Sequence, residues 1–220
     1  MEKRKAIVTG SSSGIGKAIT SILLKSGADV IGIARDHEKF EPNSECYRPI
    51  SLDLSDFEKI ESVIPKLLLE HSDIDVLICN AGHGDFQALE NFSSKQISKF
   101  INLNLISHII LCRHLVSYMK AKGNGDIIVI GSEASLAGKK KATLYSAAKF
   151  GLRGFTQALR DECSNTGVRV CLINPGFVRS SFFDSLNFKP GDAENNAIET
   201  DDIAKICLLY TSPSPRDSSK

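Results

Sequence analysis

The sequence lacks a predominant charge, because 27 lysines and arginines are balanced by 26 aspartates and glutamates, leaving a net charge of +1. This balance excludes the strongly basic surface of a nucleic-acid-binding protein and the polybasic face of a membrane-surface protein. Long hydrophobic runs are also missing, so we expect no bilayer-spanning segment and no membrane partner. The first strand-like run begins within a few residues of the N-terminus, which leaves no room for a signal peptide and favours the cytoplasm.

Paired cysteines are missing as well. The six cysteines are scattered through the chain and show none of the short spacings of zinc sites or disulfide-stapled domains. We therefore expect no metal and no disulfide, and we interpret cysteines within apolar runs as small core residues. With 220 residues, 42% of them hydrophobic, the chain is long enough to bury the core of one globular domain.

Short apolar runs alternate along the chain with stretches whose apolar residues recur every three or four positions. Runs nearly continuous in valine, isoleucine and leucine are typical of parallel strands buried on both faces. The repeated β-α-β pattern predicts an α/β fold with a single doubly wound parallel β-sheet, a Rossmann fold, and helices on both faces. The predicted strands are Lys5–Thr9, Asp29–Ala34, Tyr47–Asp53, Ile74–Asn80, Asp126–Ser132 and Val168–Asn174. The first predicted helix begins near Ile15. The other predicted helices are Phe57–Glu70, Ser94–Ala121, Thr143–Ser164 and Asp201–Tyr210.

The pattern is interrupted in two places. Pro65 should kink or divide its helix, because proline has no backbone N–H to donate. After Tyr210 the remaining residues, 211–220, offer nothing apolar to bury, which predicts a disordered or non-native tail. We therefore place one domain at residues 1–210, and the closing strand that we expect after the last helix is missing.

A glycine-rich turn, G-x-x-x-G-x-G, joins the first predicted strand to the first helix. Glycines allow positive φ and a close approach of the backbone to a pyrophosphate, whose oxygens then face the free N–H groups of the helix start. In this position the turn predicts a dinucleotide-binding site. The contacts that we expect from it come from Thr9, Gly10, Ser12, Ser13, Gly14, Ile15 and Gly16.

The end of the second strand contacts the adenosine ribose in such folds, where a carboxylate favours NAD and an arginine favours NADP. Here Ala34 stands in the carboxylate position and Arg35 follows it. The planar guanidinium of Arg35 can pair with a 2′-phosphate, which favours NADP(H). The neighbouring Asp36 leaves NAD(H) open, and a solvated loop arginine is the alternative interpretation.

Tyr145 and Lys149 are four residues apart and therefore project from one face of a predicted helix. Ser132 ends the fifth predicted strand, and ligands of open α/β sheets bind just beyond that edge. Reduction of a carbonyl by hydride needs a proton for the forming alkoxide. We expect the Lys149 ammonium, with the positive nicotinamide of an oxidised cofactor, to lower the pKa of the Tyr145 phenol, and the Ser132 hydroxyl to stabilise charge on the substrate oxygen.

In order and spacing, these motifs resemble the short-chain dehydrogenase/reductase family over about residues 5 to 208. The resemblance is carried by Thr9-Gly10-x-x-x-Gly14-x-Gly16, Asp53, Asn80-Ala81-Gly82, Asn104, Ser132, Tyr145-x-x-x-Lys149 and Pro175-Gly176. It implies that Asn104 joins the other three catalytic residues and holds a water on a proton relay behind Lys149, although Asn102 competes by composition. It also implies cofactor contacts at Asp53, Leu54, Asn80, Ala81, Gly82, Tyr145, Lys149, Pro175, Gly176 and Val178.

The resemblance further implies a small-molecule carbonyl or alcohol substrate, such as a 3-hydroxy acid, a general carbonyl compound or a 3-oxoacyl thioester. It also implies a homodimer or homotetramer assembled through the helices Ser94–Ala121 and Thr143–Ser164. The alternative function is a non-catalytic NAD(P)-binding scaffold or redox sensor, which would not need the complete set of catalytic residues.

Two groups of residues near the expected site each have two possible roles. Phe177, Phe182 and Phe183 either wall an apolar pocket or pack down the segment Val178–Asn196, which resembles a substrate lid. The run Lys139-Lys140-Lys141, between Ser132 and Tyr145 in the sequence, either attracts an acidic substrate or is a solvated loop.

Overall fold

A computed structural model of the chain describes residues 3–38, 40–184, 186–191, 193 and 196–212. Its strands are β1 (Lys5–Thr9), β2 (Asp29–Ala34), β3 (Tyr47–Ser51), β4 (Val76–Cys79), β5 (Gly125–Ile130) and β6 (Val168–Ile173). All six are parallel and form one sheet in the order β3-β2-β1-β4-β5-β6. The strand order reverses between β1 and β4, which opens a crevice at the carboxyl ends of these strands.

Helices cover both faces of the sheet, as the sequence pattern predicts. They are α1 (Gly14–Lys25), α2 (Phe57–Glu70), α3 (Ser94–Ile101), α4 (Ser107–Lys122), α5 (Thr143–Glu162) and α6 (Thr200–Thr211). The core on one face is built with α2, α4 and α5, and that on the other with α1 and α6. The doubly wound α/β fold is thus confirmed.

Four strands end earlier than predicted, because a polar residue leaves the ladder at each carboxyl end. Asp53 accepts hydrogen bonds from Ser55 through Oδ1. The Asn80 Nδ2 donates to the Thr9 carbonyl, and the Ser132 Oγ accepts from a backbone N–H in the following turn. The strands therefore stop where their side chains begin to hold the loops of the crevice.

The helix α2 is not divided at Pro65 and runs without interruption from Phe57 to Glu70, so that part of the prediction is wrong. The carbonyl that loses its donor is that of Glu61, whose residue is exposed. Water can satisfy this carbonyl, so the helix continues through the proline.

The predicted helix Ser94–Ala121 is two α-helices joined by a π-turn at Asn102–Ile106. The Asn104 Nδ2 donates to the Phe100 carbonyl over 3.0 Å, the group that an Asn104 backbone N–H would bind in a regular α-helix. This side-chain bond favours the wider i→i+5 pattern, in which the Ser107 N–H donates to the Asn102 carbonyl.

By length and composition alone, the segment Ser94–Lys122 could cross a membrane, because it contains an 18-residue window with a mean hydropathy of 1.3, contrary to our expectation. The signal is weak, because a core helix of a globular domain meets the same criterion. In this fold Leu111, Leu115 and Met119 are fully buried in the core against the sheet.

At the opposite edge from the crevice, a buried ionic network joins the amino ends of the strands. The Asp126 carboxylate is 1% exposed and pairs with Arg169 Nε and Arg4 Nη2, each at 2.6 Å. Arg4 also pairs with Asp75. Burial raises the pKa of Asp75, and the Arg4 charge opposes this.

A second, two-stranded sheet was not predicted. The strands β7 (Val178–Arg179) and β8 (Ile198–Glu199) pair in parallel. The Arg179 guanidinium also donates to the carbonyls of Gly191, Ala193 and Ala197. This pair holds the two ends of the intervening segment together.

The predicted tail begins one residue too early. Thr211 is the last residue of α6 and is buried, and its carbonyl accepts a hydrogen bond from Arg4 Nη1 over 2.6 Å. Residues 213–220 lie outside the described part of the chain. Within the described ranges the main sheet has no strand beyond β6.

Candidate active site

The glycine-rich turn forms a tight cradle at the start of α1. Gly10 and Gly14 have φ values of 67° and 50°, in the left-handed region that favours glycine. A Cβ at Gly10 would lie 2.9 Å from Asn80 Nδ2, and one at Gly16 would overlap the Gly10 carbonyl oxygen. Ser13 precedes α1 without a side-chain cap, and the first turn of this helix has no acidic residue. Its N–H groups thus suit an anion, and the cradle fits the pyrophosphate of a dinucleotide.

Thr9 and Asn80 fasten this turn to the end of β4. The Thr9 Oγ1 accepts from the backbone N–H groups of Asn80 and Ala81 at 2.8 and 3.0 Å and donates to the Ile78 carbonyl. Thr9 is fully buried. Its side chain therefore holds the glycine-rich turn against the end of β4 and does not line the crevice.

The crevice is a cleft of about 770 Å³ that holds most of the predicted site residues. Of the predicted residues, those outside its lining are Thr9, Ser12, Gly16, Asp53 and Leu54. Those in its lining are Gly10, Ser13, Gly14, Ile15, Arg35, Asn80, Ala81, Gly82, Asn104, Ser132, Tyr145, Lys149, Pro175, Gly176 and Val178.

Lys149 lies inside the protein, 6% exposed, where α5 crosses the end of β5. Its ammonium donates to the Ile130 carbonyl over 2.9 Å and lies 5.7 Å from the centroid of the Tyr145 ring. Burial lowers the pKa of Lys149 to about 8, because an apolar environment disfavours the charged form. The ammonium is thus held between the strand and the phenol.

The pKa of Tyr145 is shifted in the direction opposite to our expectation. Burial raises it, and a hydrogen bond with the Ser132 hydroxyl opposes this effect. The ring packs against Phe86 and Phe182, with centroids 5.2 and 5.9 Å apart, so its surroundings are apolar. The expected lowering by Lys149 is wrong for the protein alone, because desolvation of the buried phenol dominates. The phenol is held in its protonated form.

Asn104 is 1% exposed, and both ends of its amide are used. The Oδ1 atom accepts from the His83 backbone N–H over 3.1 Å, while Nδ2 donates into the π-turn region. The Asn104 side chain thereby joins α3 to the loop after β4. Asn104 lines the cleft, whereas the competing Asn102 does not.

Asn174 holds Ser132 in place, and the sequence analysis missed it. The Asn174 Oδ1 accepts from the Ser132 backbone N–H at 3.1 Å and from the Ser135 hydroxyl at 3.2 Å. A Cβ at Gly131 would overlap this oxygen. The only signal was its position directly before Pro175-Gly176.

On the adenosine side, Arg35 is exposed and lines the cleft. Asp53 instead turns towards its own loop. Burial acts to raise the pKa of Asp53, but the two hydrogen bonds from Ser55 and nearby positive charges lower it overall. Its carboxylate thus shapes the loop after β3.

A hydrogen-bonded chain that the sequence analysis also missed supports the loop carrying Arg35. His37 is 7% exposed, with Nε2 3.1 Å from the Ile50 carbonyl and Nδ1 3.0 Å from the Tyr47 hydroxyl. Since a carbonyl only accepts, Nε2 carries the proton and Nδ1 accepts from Tyr47. The Tyr47 hydroxyl also lies 3.4 Å from Ser11 Oγ in the glycine turn. These hydrogen bonds therefore link the glycine-rich turn to the loop that carries Arg35.

Comparison with known proteins agrees with this geometry. Residues 4–190 match the family model of the short chain dehydrogenases. The 3-oxoacyl-[acyl-carrier-protein] reductase FabG of Escherichia coli K12 is 33% identical over 190 residues, which cover 84% of this chain and 78% of that protein. The 3-ketodihydrosphingosine reductase of Bacteroides thetaiotaomicron is 30% identical over 195 residues, covering 89% and 71%.

Solved structures resemble the whole fold. A putative NAD(P)-dependent gluconate 5-dehydrogenase from Beutenbergia cavernae with bound NADP has a TM-score of 0.86 at 27% identity, covering 95% of this chain and 89% of that one. A 4-hydroxyisoleucine dehydrogenase complexed with NADH has a TM-score of 0.83 at 25% identity, covering 96% and 91%.

Proposed function

The chain belongs to the short-chain dehydrogenase family and is an NAD(P)-dependent oxidoreductase, and from this we propose that it reduces a ketone or aldehyde with NADPH. One observation carries the proposal. The Tyr145 phenol, the Ser132 hydroxyl and the Lys149 ammonium meet in the cleft that also contains the glycine cradle. A proton donor and a dinucleotide site therefore face one space.

In the proposed mechanism, a bound nicotinamide would supply the hydride, and the side chains of the protein supply the proton and stabilise the charges that develop. Tyr145 gives its phenol proton to the substrate oxygen, and its raised pKa keeps that proton available at neutral pH. Ser132 donates a hydrogen bond to the same oxygen and stabilises the charge that develops there. Lys149 stabilises the phenolate that remains, and Asn104 holds the loop after β4 and, by family resemblance, a water behind Lys149.

We propose the remaining predicted residues as the cofactor-binding set. Gly10, Gly14 and the start of α1 bind the pyrophosphate, whereas Thr9 and Gly16 keep the turn in shape. The residues that we place against the rest of the dinucleotide are Ser12, Ser13, Ile15, Asp53, Leu54, Asn80, Ala81, Gly82, Tyr145, Lys149, Pro175, Gly176 and Val178.

The preference for NADPH rests on Arg35. It lines the cleft directly after β2, where no carboxylate occupies the Ala34 position. We expect R35A to raise the KM for NADPH about tenfold or more and to leave the KM for NADH nearly unchanged, because only NADPH carries the 2′-phosphate. An equal change in both KM values would contradict the assignment of Arg35.

The decisive experiment replaces the phenol. We expect Y145F to bind NADPH normally, measured by cofactor fluorescence, but to reduce a panel of carbonyl compounds at least about 100-fold more slowly. Y118F is the matched control, because Tyr118 lies outside the described lining of the cleft, and it should keep wild-type turnover. Undiminished turnover by Y145F would refute the mechanism. Tight NADPH binding without oxidation by any carbonyl would favour the scaffold or sensor instead.

We also propose that the predicted single domain, residues 1–210, extends to Thr211 at the end of α6, and that two or four copies assemble through the Ser94–Lys122 segment and α5. This segment keeps half-buried apolar residues such as Leu103 and Ile109, and Phe150 on α5 is 44% exposed. Apolar surface of this kind favours a protein interface. Sedimentation equilibrium tests the assembly, and a single monomeric species would contradict it.

All six cysteines are free thiols, which suits a reducing cytoplasm.

A further inference from the structure

Five aromatic rings form a closed circuit at the substrate end of the cleft. The centroid distances are 5.2 Å from Tyr145 to Phe86, 5.1 Å from Phe86 to Phe188, and 5.8 Å from Phe188 to Phe183. The circuit closes through Phe182, 5.2 Å from Phe183 and 5.9 Å from Tyr145. The reacting phenol is thus one member of an aromatic wall.

These rings also leave apolar surface open to the cleft. Phe188 is 41% exposed and Phe177, which contacts Phe183, is 46% exposed, and both line the cleft. Exposed aromatic surface gathered in one concave place indicates a binding site for an apolar group, because burying it releases hydrating water. The segment after β6 therefore walls a pocket.

Positive charge collects at one side of the same pocket. Lys139, Lys140 and Lys141 are all exposed and line the cleft, and none of them forms an ion pair with a carboxylate among the described residues. The one carboxylate in the described lining is that of Glu133. A cleft wall with several cations and one anion attracts a negatively charged ligand.

The chain fixes how far these lysines lie from the reacting phenol. Lys141 lies four positions before Tyr145, so their Cα atoms are at most roughly 15 Å apart, and the helical residues from Thr143 onward shorten this distance. A lysine side chain spans much of the remainder. A substrate whose carbonyl contacts Tyr145 can therefore place a charged group a few carbon atoms away beside these ammonium groups.

From this arrangement we infer that the preferred substrate is a carbonyl compound with an apolar body and a negatively charged terminus, a carboxylate or a phosphate. The aromatic circuit binds the body, and the lysines of the 139–141 loop bind the terminus. This inference rests on the proposed carbonyl reduction and names the substrate class of that same site.

The test compares phenyl ketones that carry a terminal carboxylate, separated from the carbonyl by two, three or four methylenes, with their methyl esters. We expect kcat/KM with NADPH to be about tenfold higher for the best carboxylate than for its ester in low salt, and the preference to shrink in 0.5 M salt. The corresponding ketones with a terminal phosphate form a further arm. A higher kcat/KM in that arm assigns the site to phosphorylated substrates, and a lower one assigns it to keto acids.

The variant that removes the charge is K139Q/K140Q/K141Q. It should bring kcat/KM for the carboxylate and for the ester to within about twofold of each other. The control, K25Q/K66Q/K95Q, removes the same charge outside the described lining and should keep the preference. F188A should raise the KM for the phenyl ketones more than the KM for short aliphatic keto acids, because only the former place an aromatic ring against this wall.

Four outcomes are distinguishable. Reduction of the esters as fast as the acids, or a preference that survives in K139Q/K140Q/K141Q, overturns the inference and leaves the proposed function standing. A preference lost equally in both triple variants also overturns it, because the long-range charge of the whole protein would then be the cause. If no ketone is reduced while NADPH binds, the proposed function fails and the inference falls with it.

Discussion

Acid should destabilise this protein through one buried histidine. His108 on α4 is completely buried, one helical turn beyond Asn104. Burial, together with the positive charge of Lys149, lowers the pKa of His108 to about 3, and a backbone contact with Ala81 opposes both effects. The ring is therefore neutral in the folded protein at pH 5 and above.

The sign and size of the effect follow from the two pKa values. An unfolded histidine titrates near pH 6.5, so between about pH 6.5 and 3 the unfolded chain binds a proton that the folded chain does not. Stability contributed by the neutral ring is therefore complete above pH 6.5 and is lost as the pH falls. One pKa unit corresponds to about 1.4 kcal/mol, so at pH 5 the loss is about 2 kcal/mol. This is a large part of the stability of a typical domain.

The assay is urea unfolding at pH 7.5 and pH 5, followed by circular dichroism. The variant H108L removes the titrating ring and keeps an apolar side chain of similar size. On going from pH 7.5 to pH 5, the free energy of unfolding should fall in both proteins. We expect the fall in the wild type to be about 2 kcal/mol larger than the fall in H108L. The control is L115M, an apolar exchange at a fully buried position of the same helix, and it should retain the wild-type pH dependence. Equal losses in H108L and the wild type would refute the reasoning.

Three further predictions concern the cradle, the ionic network and the buried lysine. G16A should weaken NADPH binding more than about tenfold in a fluorescence titration, because its Cβ would overlap the turn, whereas G154A, where a Cβ meets nothing within 4 Å, should bind normally. D126N should lower the free energy of unfolding by roughly 3 kcal/mol or more, since it removes the buried carboxylate charge with which both Arg4 and Arg169 pair, whereas D202N, at an exposed pair, should lower it far less in the same urea titration. The rate of carbonyl reduction should fall as the pH rises through about 8, where the Lys149 ammonium loses its proton, and a stopped-flow pH profile flat to pH 10 would contradict this role.

The sequence was sufficient for the fold where hydrophobic burial decides the structure. The bounds of β1, β2 and α2 agree with prediction, because each is a run whose apolar period ends abruptly in polar or turn residues. The strand ends predicted at Asp53, Asn80 and Ser132 do not agree with the structure. There a polar side chain leaves the ladder to bond a loop, and the hydrophobic periodicity does not indicate this.

The sequence indicated which predicted site residues share a helix face or a strand end, but not the direction in which the pKa of Tyr145 is shifted. Spacing placed Tyr145 and Lys149 on one helix face, and the structure brings both into the cleft with Ser132. The direction of the Tyr145 pKa depends on rings that come from loops distant in sequence, such as Phe86 and Phe182. The supporting bonds of Asn174 and His37 also depend on contacts between different strands, which a linear pattern does not contain.

The small sheet of β7 and β8 has a consequence for how the substrate range of this protein can change. Because the two strands are paired, residues inserted between them enlarge a loop that is already closed, and each doubling of its length costs only about 0.6 kcal/mol. The separation of its two ends stays constant, so neither β6 nor α6 is displaced by such an insertion. New pocket walls can therefore be acquired here by simple lengthening, independently of the machinery that handles the proton and the cofactor.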